Sequence, residues 1–418
     1  MNGPRMYKLL ETIGFTRVSG STEELQAANI LKSVIETIGG KADITSFTVP
    51  SQEITNAKLI VTNHLGESKE YEVSAYGRCA TTGPTGITKP FYYAEGFDDV
   101  AKTKIKDAIV LVNGYVNYDL YKKITESGAA GFISYNGSIL DTDETGDLDM
   151  KEIREPMQIF GRIPGVNMRA RNAIDLVRFE PKLATIIIEQ EDTEISSHNV
   201  IAEIQGCRYP DEEIVFTAHY DSVLYSKGVY DNGAGSVIIM ELYRYFMEHK
   251  PNRTMKFIWC GSEERGLLGS KAYVAGLTSE ELAKIKLNVN VDVGGAVLGR
   301  DAVCAISEMS LVNMIEYLAK EIDFSVDVKQ SIYSSDGIPF ADKGIPAVNF
   351  MRFGPAGTAF IHDRHDTMLF LGAKSLELTA SFVLAFTQKI DAAAVFLVPR
   401  SIPTNMVEEV DKYLKKTK

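Results

Sequence analysis

Four apolar segments decide the fold of this chain: NVIAEIQG (199–206), EEIVFTAH (212–219), TMKFIWCG (254–261) and LNVNVDV (287–293). Their apolar cores are nearly continuous, which is typical of strands buried on both faces of a mostly parallel sheet. Helical segments such as GSVIIMELYRYFMEH (235–249) lie between them. The predicted fold class is therefore α/β, with a three-layer, mostly parallel central sheet that carries helices on both faces.

The segments before this alternation have a different pattern. Short β-type stretches separated by polar turns occupy residues 43–80, and a compact series of apolar strands and helices occupies residues 106–190. Strands and helices that alternate within so short a stretch favour a small α/β unit of its own.

Composition excludes several classes of protein. The chain has 418 residues, with 44 basic and 56 acidic side chains and a formal net charge of -12. This length can bury a large core and favours two packed units. No apolar run approaches the roughly 20 residues of a membrane-spanning helix, so we expect no membrane partner. The acidic balance, without a long Lys or Arg block, argues against nucleic acid as a partner.

The N-terminus and the cysteines bear on location. The opening MNGPRMYKLLETIG lacks the apolar core of a secretory signal, so a cytoplasmic protein is expected. A secreted protein whose leader had been removed would look the same. The cysteines form no Cys-x-x-Cys pair and are too sparse for a disulfide framework, so we expect buried free thiols. They are Cys79, Cys207, Cys260 and Cys304.

Residues with metal-ligand or acid–base chemistry follow the predicted strands. Open sheets of this class bind ligands beyond the carboxyl ends of their strands, so the residues at those ends are the candidates for chemistry. Five segments each supply at least one. The candidates are His219 and Asp221, Asp231, Glu263 and Glu264, Asp292, and, much later, His362, His365 and Asp366.

Each candidate also has a structural explanation, as a buried pair, a turn or a solvated face. Their joint occurrence points to a metal, because imidazole and carboxylate without thiolate is the ligand set of a catalytic zinc or manganese centre. Several carboxylates in one cleft would also repel one another unless cations neutralised them. A nucleotide-binding loop is excluded, since YDNGAGS (230–236) carries neither a G-x-G-x-x-G pattern nor a P-loop Lys.

The motifs together resemble a known family. HYDS, YDNGAGS, GSEERGLLGSKAY, VNVDVGG, SSDGIPFADKGIPA and HDRHDT occur in this order, after the opening IGFTRVSGSTEELQAANIL. This set resembles the co-catalytic dizinc peptidases, family 28 of the metallopeptidases, which include bacterial leucyl aminopeptidases and glutamate carboxypeptidases. The resemblance covers nearly the whole chain. It implies a zinc peptidase catalytic domain over residues 1–52 and 196–418 and an inserted protease-associated domain over residues 53–195.

The resemblance implies a site for two divalent metal ions, with Zn²⁺ as the expected metal. His219 and Asp292 would bind one ion, Glu264 and His362 would bind the other, and Asp231 would bridge both. In chemical terms, two such cations acidify a bridging water and polarise the scissile carbonyl.

Two further residues receive catalytic roles from the resemblance. Glu263 would be the general base that takes the proton of the metal-bridging water and passes it to the leaving amine. Asp221 would fix the imidazole of His219. The resemblance also implies a cis peptide between Asp231 and Asn232.

The last ligand departs from the family pattern. Ile361 and Asp363 flank His362 where the family usually has an aromatic and a hydroxyl residue, and His365 is an alternative ligand. We favour His362 because its spacing of four to Asp366 keeps the family pattern.

The expected function is an aminopeptidase that removes an N-terminal residue, of apolar preference, from peptide substrates. A carboxylate-rich cleft and the net charge of -12 attract an amine. The alternatives are a carboxypeptidase or amidohydrolase on the same site, and a metal-free, receptor-like relative. A carboxypeptidase needs a cation for the terminal carboxylate, for which Arg265, Arg352 and Arg364 are the candidates. Tyr333 could assist the oxyanion. The sequence leaves open whether the protein forms a homo-oligomer.

Overall fold

The computed structural model describes residues 1–142 and 146–416. The chain divides into two compact units, of which one comprises Met1–Val49 with Ser196–Lys418 and the other comprises Pro50–Ile195.

The helices of the described residues are α1 (Gly3–Ile13), α2 (Thr22–Thr37), α3 (Asp99–Ile105), α4 (Tyr118–Glu126), α5 (Ala170–Arg178), α6 (Ala234–Glu248), α7 (Leu268–Ala275), α8 (Ser279–Lys284), α9 (Met309–Glu321), α10 (Ile338–Ala341), α11 (Ala373–Ala392) and α12 (Thr404–Tyr413). The strands are β1 (Ala42–Asn63), β2 (Ser68–Tyr71), β3 (Ser74–Ala75), β4 (Ile87–Ala94), β5 (Ile109–Val112), β6 (Gly131–Asn136), β7 (Gly165–Arg169), β8 (Pro181–Ile204), β9 (Tyr209–His219), β10 (Arg253–Cys260), β11 (Ile285–Val291), β12 (Arg300–Ile306), β13 (Val326–Gln330) and β14 (Ala347–Phe353).

The first unit is built on a sheet of order β13-β12-β14-β11-β9-β10-β8. Strands β14, β11, β9 and β10 are parallel neighbours, and the antiparallel pairs are β12 with β14 and β8 with β10. The predicted mostly parallel sheet is confirmed. In this register His219 lies beside Cys260 and Thr217 beside Asn290, so the carboxyl ends of three strands are nearly level. The loops that follow them therefore meet at one edge of the sheet.

Helices cover both faces of this sheet. Successive side chains of a strand point to opposite faces. Phe216 and Phe257, whose ring centroids lie 4.6 Å apart, belong to the core that includes α6 and α11. Their neighbours Val215 and Ile258 pack on the other side with residues of α7 and α10. The predicted three-layer arrangement is confirmed.

The N-terminal segment begins with two capped helices. The Asn2 side chain accepts a hydrogen bond from the backbone N–H of Arg5 at the start of α1, and Ser21 accepts one from Glu24 at the start of α2. Such caps satisfy N–H groups that have no partner within the helix. Residues 14–21 connect the two helices without regular secondary structure.

The second unit, Pro50–Ile195, has its own sheet and core. Strands β4, β5, β6 and β7 are parallel neighbours, and residues 183–186 of β8 pair antiparallel with β4. Val110, Phe132 and Ile186 are fully buried in its core. The apolar strands between residues 106 and 190 thus fold as an α/β unit.

The remaining expectations concern thiols and membranes. Cys79, Cys207, Cys260 and Cys304 are all free, as expected. The expectation of buried thiols holds for Cys79 and Cys260 only. Cys304 is half-buried, and Cys207 is exposed because it lies in the turn between β8 and β9. Among the helices described here, none has the length and apolar content needed to cross a bilayer.

Candidate metal centre

The candidate ligands converge at the edge of the sheet where the parallel strands end. His219 is the last residue of β9, and Asp292 directly follows β11. Two groups of side chains have ligand atoms within 4.8 Å of one another. The first group is His219, Asp231 and Asp292, and the second is Asp231, Glu264 and His362.

Asp231 belongs to both groups through different oxygens. Its Oδ1 lies 3.1 Å from Nε2 of His219, and its Oδ2 lies 3.1 Å from Nε2 of His362. Asp292 completes the first group, with Oδ1 3.6 Å from Nε2 of His219. Glu264 completes the second, with Oε2 3.1 Å from Nε2 of His362. One carboxylate therefore faces two separate imidazoles.

The backbone around Asp231 is held by Asp366. This carboxylate accepts hydrogen bonds from the N–H groups of Tyr230, at 2.8 Å, and Asp231, at 3.1 Å. Sequence analysis named Asp366 as a candidate residue but assigned it no role. Its role is visible only in three dimensions, because it lies 135 residues from Asp231 along the chain.

Asn232 connects the Asp231 loop to the segment that carries Asp292. Its Nδ2 donates to the carbonyl of Val291 at 2.8 Å, and its Oδ1 accepts from the N–H of Val293 at 3.1 Å. The peptide between Asp231 and Asn232 is cis, as the family resemblance implies. Sequence reasoning missed Asn232 as a contributor, and its place directly after a candidate ligand is the signal that could have found it.

Asp221 supports three neighbours. Its Oδ1 accepts from the N–H of Glu263 at 3.0 Å and lies 3.4 Å from Nδ1 of His219, while its Oδ2 accepts from the N–H of Glu264 at 3.3 Å. The expected contact with the His219 ring is present at a distance longer than an ordinary hydrogen bond. The contacts with the two glutamate N–H groups were not foreseen. They fix the turn that carries both glutamates.

Glu263 lies beside the first group without belonging to it. Its Oε2 is 3.9 Å from Nε2 of His219, and its side chain is only 11% exposed. Burial raises the pKa of Glu263 well above its usual range, and although His219 opposes this effect, the charges of Asp336 and Glu264 reinforce it.

The structure separates the two late histidines. His362 contacts both Asp231 and Glu264, whereas the Nδ1 of His365 lies 3.1 Å from Oδ1 of Asp363. Among the described residues, His365 belongs to neither ligand group. His362 adopts a left-handed backbone conformation with φ 62°.

The electrostatics of the histidines show how strongly the carboxylates act. Burial alone would lower the pKa of His362, but hydrogen bonds with Asp231 and Glu264 raise it to about 11. Burial likewise opposes the protonation of His219, and the neighbouring carboxylates, Glu263 foremost, raise its pKa well above its usual value. The site therefore stabilises positive charge at both imidazoles.

The residues fit divalent cations. Oδ1 of Asp292 is buried and has no hydrogen-bond donor among the described residues. A metal cation can replace the proton on Nε2 of His219, because that nitrogen faces the oxygens of Asp231 and Asp292 while Nδ1 lies beside Asp221. Lone pairs and carboxylates that face one another need a cation between them, and imidazole and carboxylate are ligands that zinc accepts.

An open, mostly parallel sheet that presents two carboxylate–imidazole groups beyond its strand ends is an α/β fold with a candidate metal centre. Residues 199–387 match the profile of peptidase family M28. This segment therefore resembles that family, as the motifs predict.

Named relatives agree with this assignment. The chain is 26% identical over 396 residues to aminopeptidase YwaD of Bacillus subtilis, a match that covers 90% of this chain and 82% of that protein. It is 33% identical over 174 residues to leucine aminopeptidase 2 of Trichophyton rubrum, which covers 41% of this chain and 33% of that protein. The second match therefore spans about a third of its relative.

A solved structure shares the fold. The zinc aminopeptidase BSAP of Bacillus subtilis superposes with a TM-score of 0.78 at 23% identity, over 97% of this chain and 98% of that chain. At this identity the likeness shows the fold, and it confirms the predicted α/β class.

Proposed function

We propose that this chain is a two-metal aminopeptidase that hydrolyses the N-terminal residue of peptides. The observation that carries the proposal is the sharing of Asp231, whose two carboxylate oxygens each lie 3.1 Å from a different imidazole. A carboxylate in this position can bridge two ions. The name of the Bacillus subtilis relative, which the chain matches over most of both lengths, supports the aminopeptidase class.

His219 and Asp292 would hold one ion, Glu264 and His362 the other, and Asp231 both. The ions, which we expect to be Zn²⁺, supply Lewis acidity that lowers the pKa of a water molecule and polarises the scissile carbonyl.

Glu263 acts as the general base. Its carboxylate lies next to the first ligand group, and its backbone N–H is fixed by Asp221, so it is positioned without being a ligand. It accepts the proton of the attacking water and delivers that proton to the leaving amine. Asp221 also lies beside His219, so it holds the imidazole and the general base in fixed positions relative to each other.

The proposed direction of cleavage rests on charge. Carboxylates that surround the site attract the free amine of a peptide. A carboxypeptidase would need a cation free to bind the terminal carboxylate. Arg352, one of the candidates, is bound to Asp301 and donates to the carbonyl of Ala296 at 2.7 Å. It is therefore not available for substrate.

We also infer that residues 53–195 form a protease-associated domain. The support is that an α/β unit, Pro50–Ile195, interrupts the chain between the N-terminal segment and the metal-binding part.

The test combines metal analysis with a pair of blocked substrates. We expect two zinc ions per chain, loss of leucyl-p-nitroanilide hydrolysis after chelation, and recovery when Zn²⁺ is added. N-acetylation of a peptide should abolish cleavage, whereas amidation of its C-terminus should be tolerated. Cleavage that survives acetylation and is lost on amidation would replace the aminopeptidase with a carboxypeptidase.

A further inference from the structure

Arg17 is a buried cation with no part in the ligand groups. It lies in the connection between α1 and α2, within the motif IGFTRVSGS, and its side chain is fully buried. Burying a charged group is costly unless the surrounding atoms satisfy it, so a fully buried Arg requires partners that match its geometry.

The guanidinium group binds backbone carbonyls of two loops that lead to ligands. All five of its hydrogen bonds within the described residues go to carbonyl oxygens. It donates to Tyr220 at 2.5 Å, to Lys227 at 2.7 Å and to Gly228 at 2.8 Å, and the other two acceptors are Ile13 and Phe15 of its own segment. Tyr220 lies between His219 and Asp221, and Gly228 is three residues before Asp231.

The backbone of Arg17 also binds the loop that follows His219. Its N–H donates to Oγ of Ser222 at 2.9 Å, and its carbonyl accepts from the N–H of Ser222 at 3.0 Å. Gly228 has φ 54°, and a Cβ there would lie 2.5 Å from Cβ of Ser222, 2.9 Å from the carbonyl oxygen of Asp231 and 3.0 Å from Nη2 of Arg17. The backbone at Gly228 therefore packs closely against both Ser222 and the guanidinium of Arg17.

Opposite charges hold the loop before Asp231 from two sides. Arg17 binds carbonyls at Lys227 and Gly228, and Asp366 binds the N–H groups of Tyr230 and Asp231. A guanidinium suits this task because its donors form a rigid planar fork, which an ammonium group cannot reproduce.

We propose that Arg17 is a positioning residue for the metal centre, which holds Tyr220 and Gly228 so that His219 and Asp231 face the ions. The proposal rests on the proposed two-metal function. Arg17 would thus support the metal centre although it lies about 200 positions before His219 and Asp231 in the sequence.

The test compares Arg17→Lys with Arg5→Lys. Arg5 is the control because it also lies in the N-terminal segment and binds Glu241 through two hydrogen bonds, and Glu241 belongs to neither ligand group. Chelator-treated protein is titrated with Zn²⁺ against a chromophoric competitor, and the visible spectrum of the Co²⁺ form is recorded. In Arg17→Lys we expect a 10- to 100-fold lower zinc affinity, an altered Co²⁺ spectrum, and a fall in kcat that exceeds any change in KM. Arg5→Lys should match the parent in all three.

Chemical rescue separates positioning from general stability. Guanidinium ion added to Arg17→Gly should recover part of the zinc affinity, which a purely structural role would not predict. If the Arg17 variants do not fold, Ser222→Ala is the deciding variant. It removes the hydrogen bond from the N–H of Arg17 and the one that Ser222 Oγ donates to the carbonyl of Ser226, and it should lower the zinc affinity about 3- to 10-fold.

Two failures can be told apart. A parent protein that binds fewer than two ions and cleaves no aminoacyl substrate contradicts the proposed function. A parent with two ions, together with an Arg17→Lys variant of unchanged zinc affinity and Co²⁺ spectrum, contradicts the role of Arg17 alone, even if the variant unfolds at a lower temperature. Unchanged affinity in Ser222→Ala, when the Arg17 variants do not fold, overturns it as well.

Discussion

Replacement of Glu263 by Gln tests the centre of the proposed mechanism. The amide has nearly the shape of the carboxylate but cannot accept the proton of a water molecule. Asp221 holds the backbone N–H of residue 263 at 3.0 Å, and that contact does not depend on the side chain. Glu263→Gln should therefore fold and place its side chain as the parent does.

The expected loss of turnover in Glu263→Gln can be estimated from the surroundings of Glu263. General-base catalysis contributes about 10²- to 10⁴-fold, which corresponds to about 2.7 to 5.5 kcal/mol of activation free energy. We expect the upper half of this range, because the Glu263 side chain is only 11% exposed and bulk water has little access to replace it as proton acceptor. Metal content should persist, since Glu263 belongs to neither ligand group.

Glu264→Gln is the matched comparison, because it makes the same chemical change one residue away. Its carboxylate lies 3.1 Å from Nε2 of His362, so this variant should lose occupancy of one ion and regain activity in excess Zn²⁺. The assay measures kcat for leucyl-p-nitroanilide at saturating zinc, with metal analysis of the same samples. Turnover of Glu263→Gln close to that of the parent would remove this residue from the mechanism, as would metal loss equal to that of Glu264→Gln.

Two further predictions concern the ligand groups, and a third concerns Glu24, a buried carboxyl of α2. His362→Ala should lower the occupancy of one ion to below half while His365→Ala leaves both ions bound, and the opposite pattern in metal analysis would identify His365 as the ligand. Asp231→Ala should weaken both ions together, whereas Asp366→Asn, which alters only the support of that loop, should lower zinc affinity about 10- to 100-fold; titration of each variant with Zn²⁺ distinguishes the two effects. Burial raises the pKa of Glu24 from 4.5 to about 8, so the folded state binds this proton more tightly than the unfolded state. Its contribution to stability is then complete below about pH 4.5 and is lost as the pH rises towards 8, and urea unfolding of Glu24→Gln against the parent should diverge over that interval; parallel pH profiles would contradict the shift.

The central sheet and the set of converging residues could be predicted because both depend on patterns within the sequence. Continuous apolar strands such as 212–219 identify a parallel sheet. Parallel strands bring their carboxyl ends to one edge, so His219 and Asp292 must approach each other even though 73 positions separate them. The structure places both in one group with Asp231.

The supporting contacts could not be predicted, because they depend on backbone geometry that no pattern encodes. Asn232 binds carbonyl and N–H groups on both sides of Asp292, and Arg17 binds carbonyls more than 200 residues away. The choice between His362 and His365 likewise depends on the conformation of one loop, in which His362 has φ 62°. Spacing to Asp366 favoured His362, but only the folded loop shows which ring faces Glu264.

Hydrogen bonding separates the supporting carboxylates from the candidate ligands. Asp221 and Asp366 each accept backbone N–H donors on both oxygens, so their oxygens have hydrogen-bond partners within the protein. Oδ1 of Asp292 has no such donor among the described residues, and the oxygens of Asp231 face imidazoles. A buried carboxylate without donors is costly unless something else stabilises its charge, and divalent cations do so. We therefore expect the carboxylates that bind backbone N–H groups to shape the loops, and Asp231 and Asp292 to bind the metal.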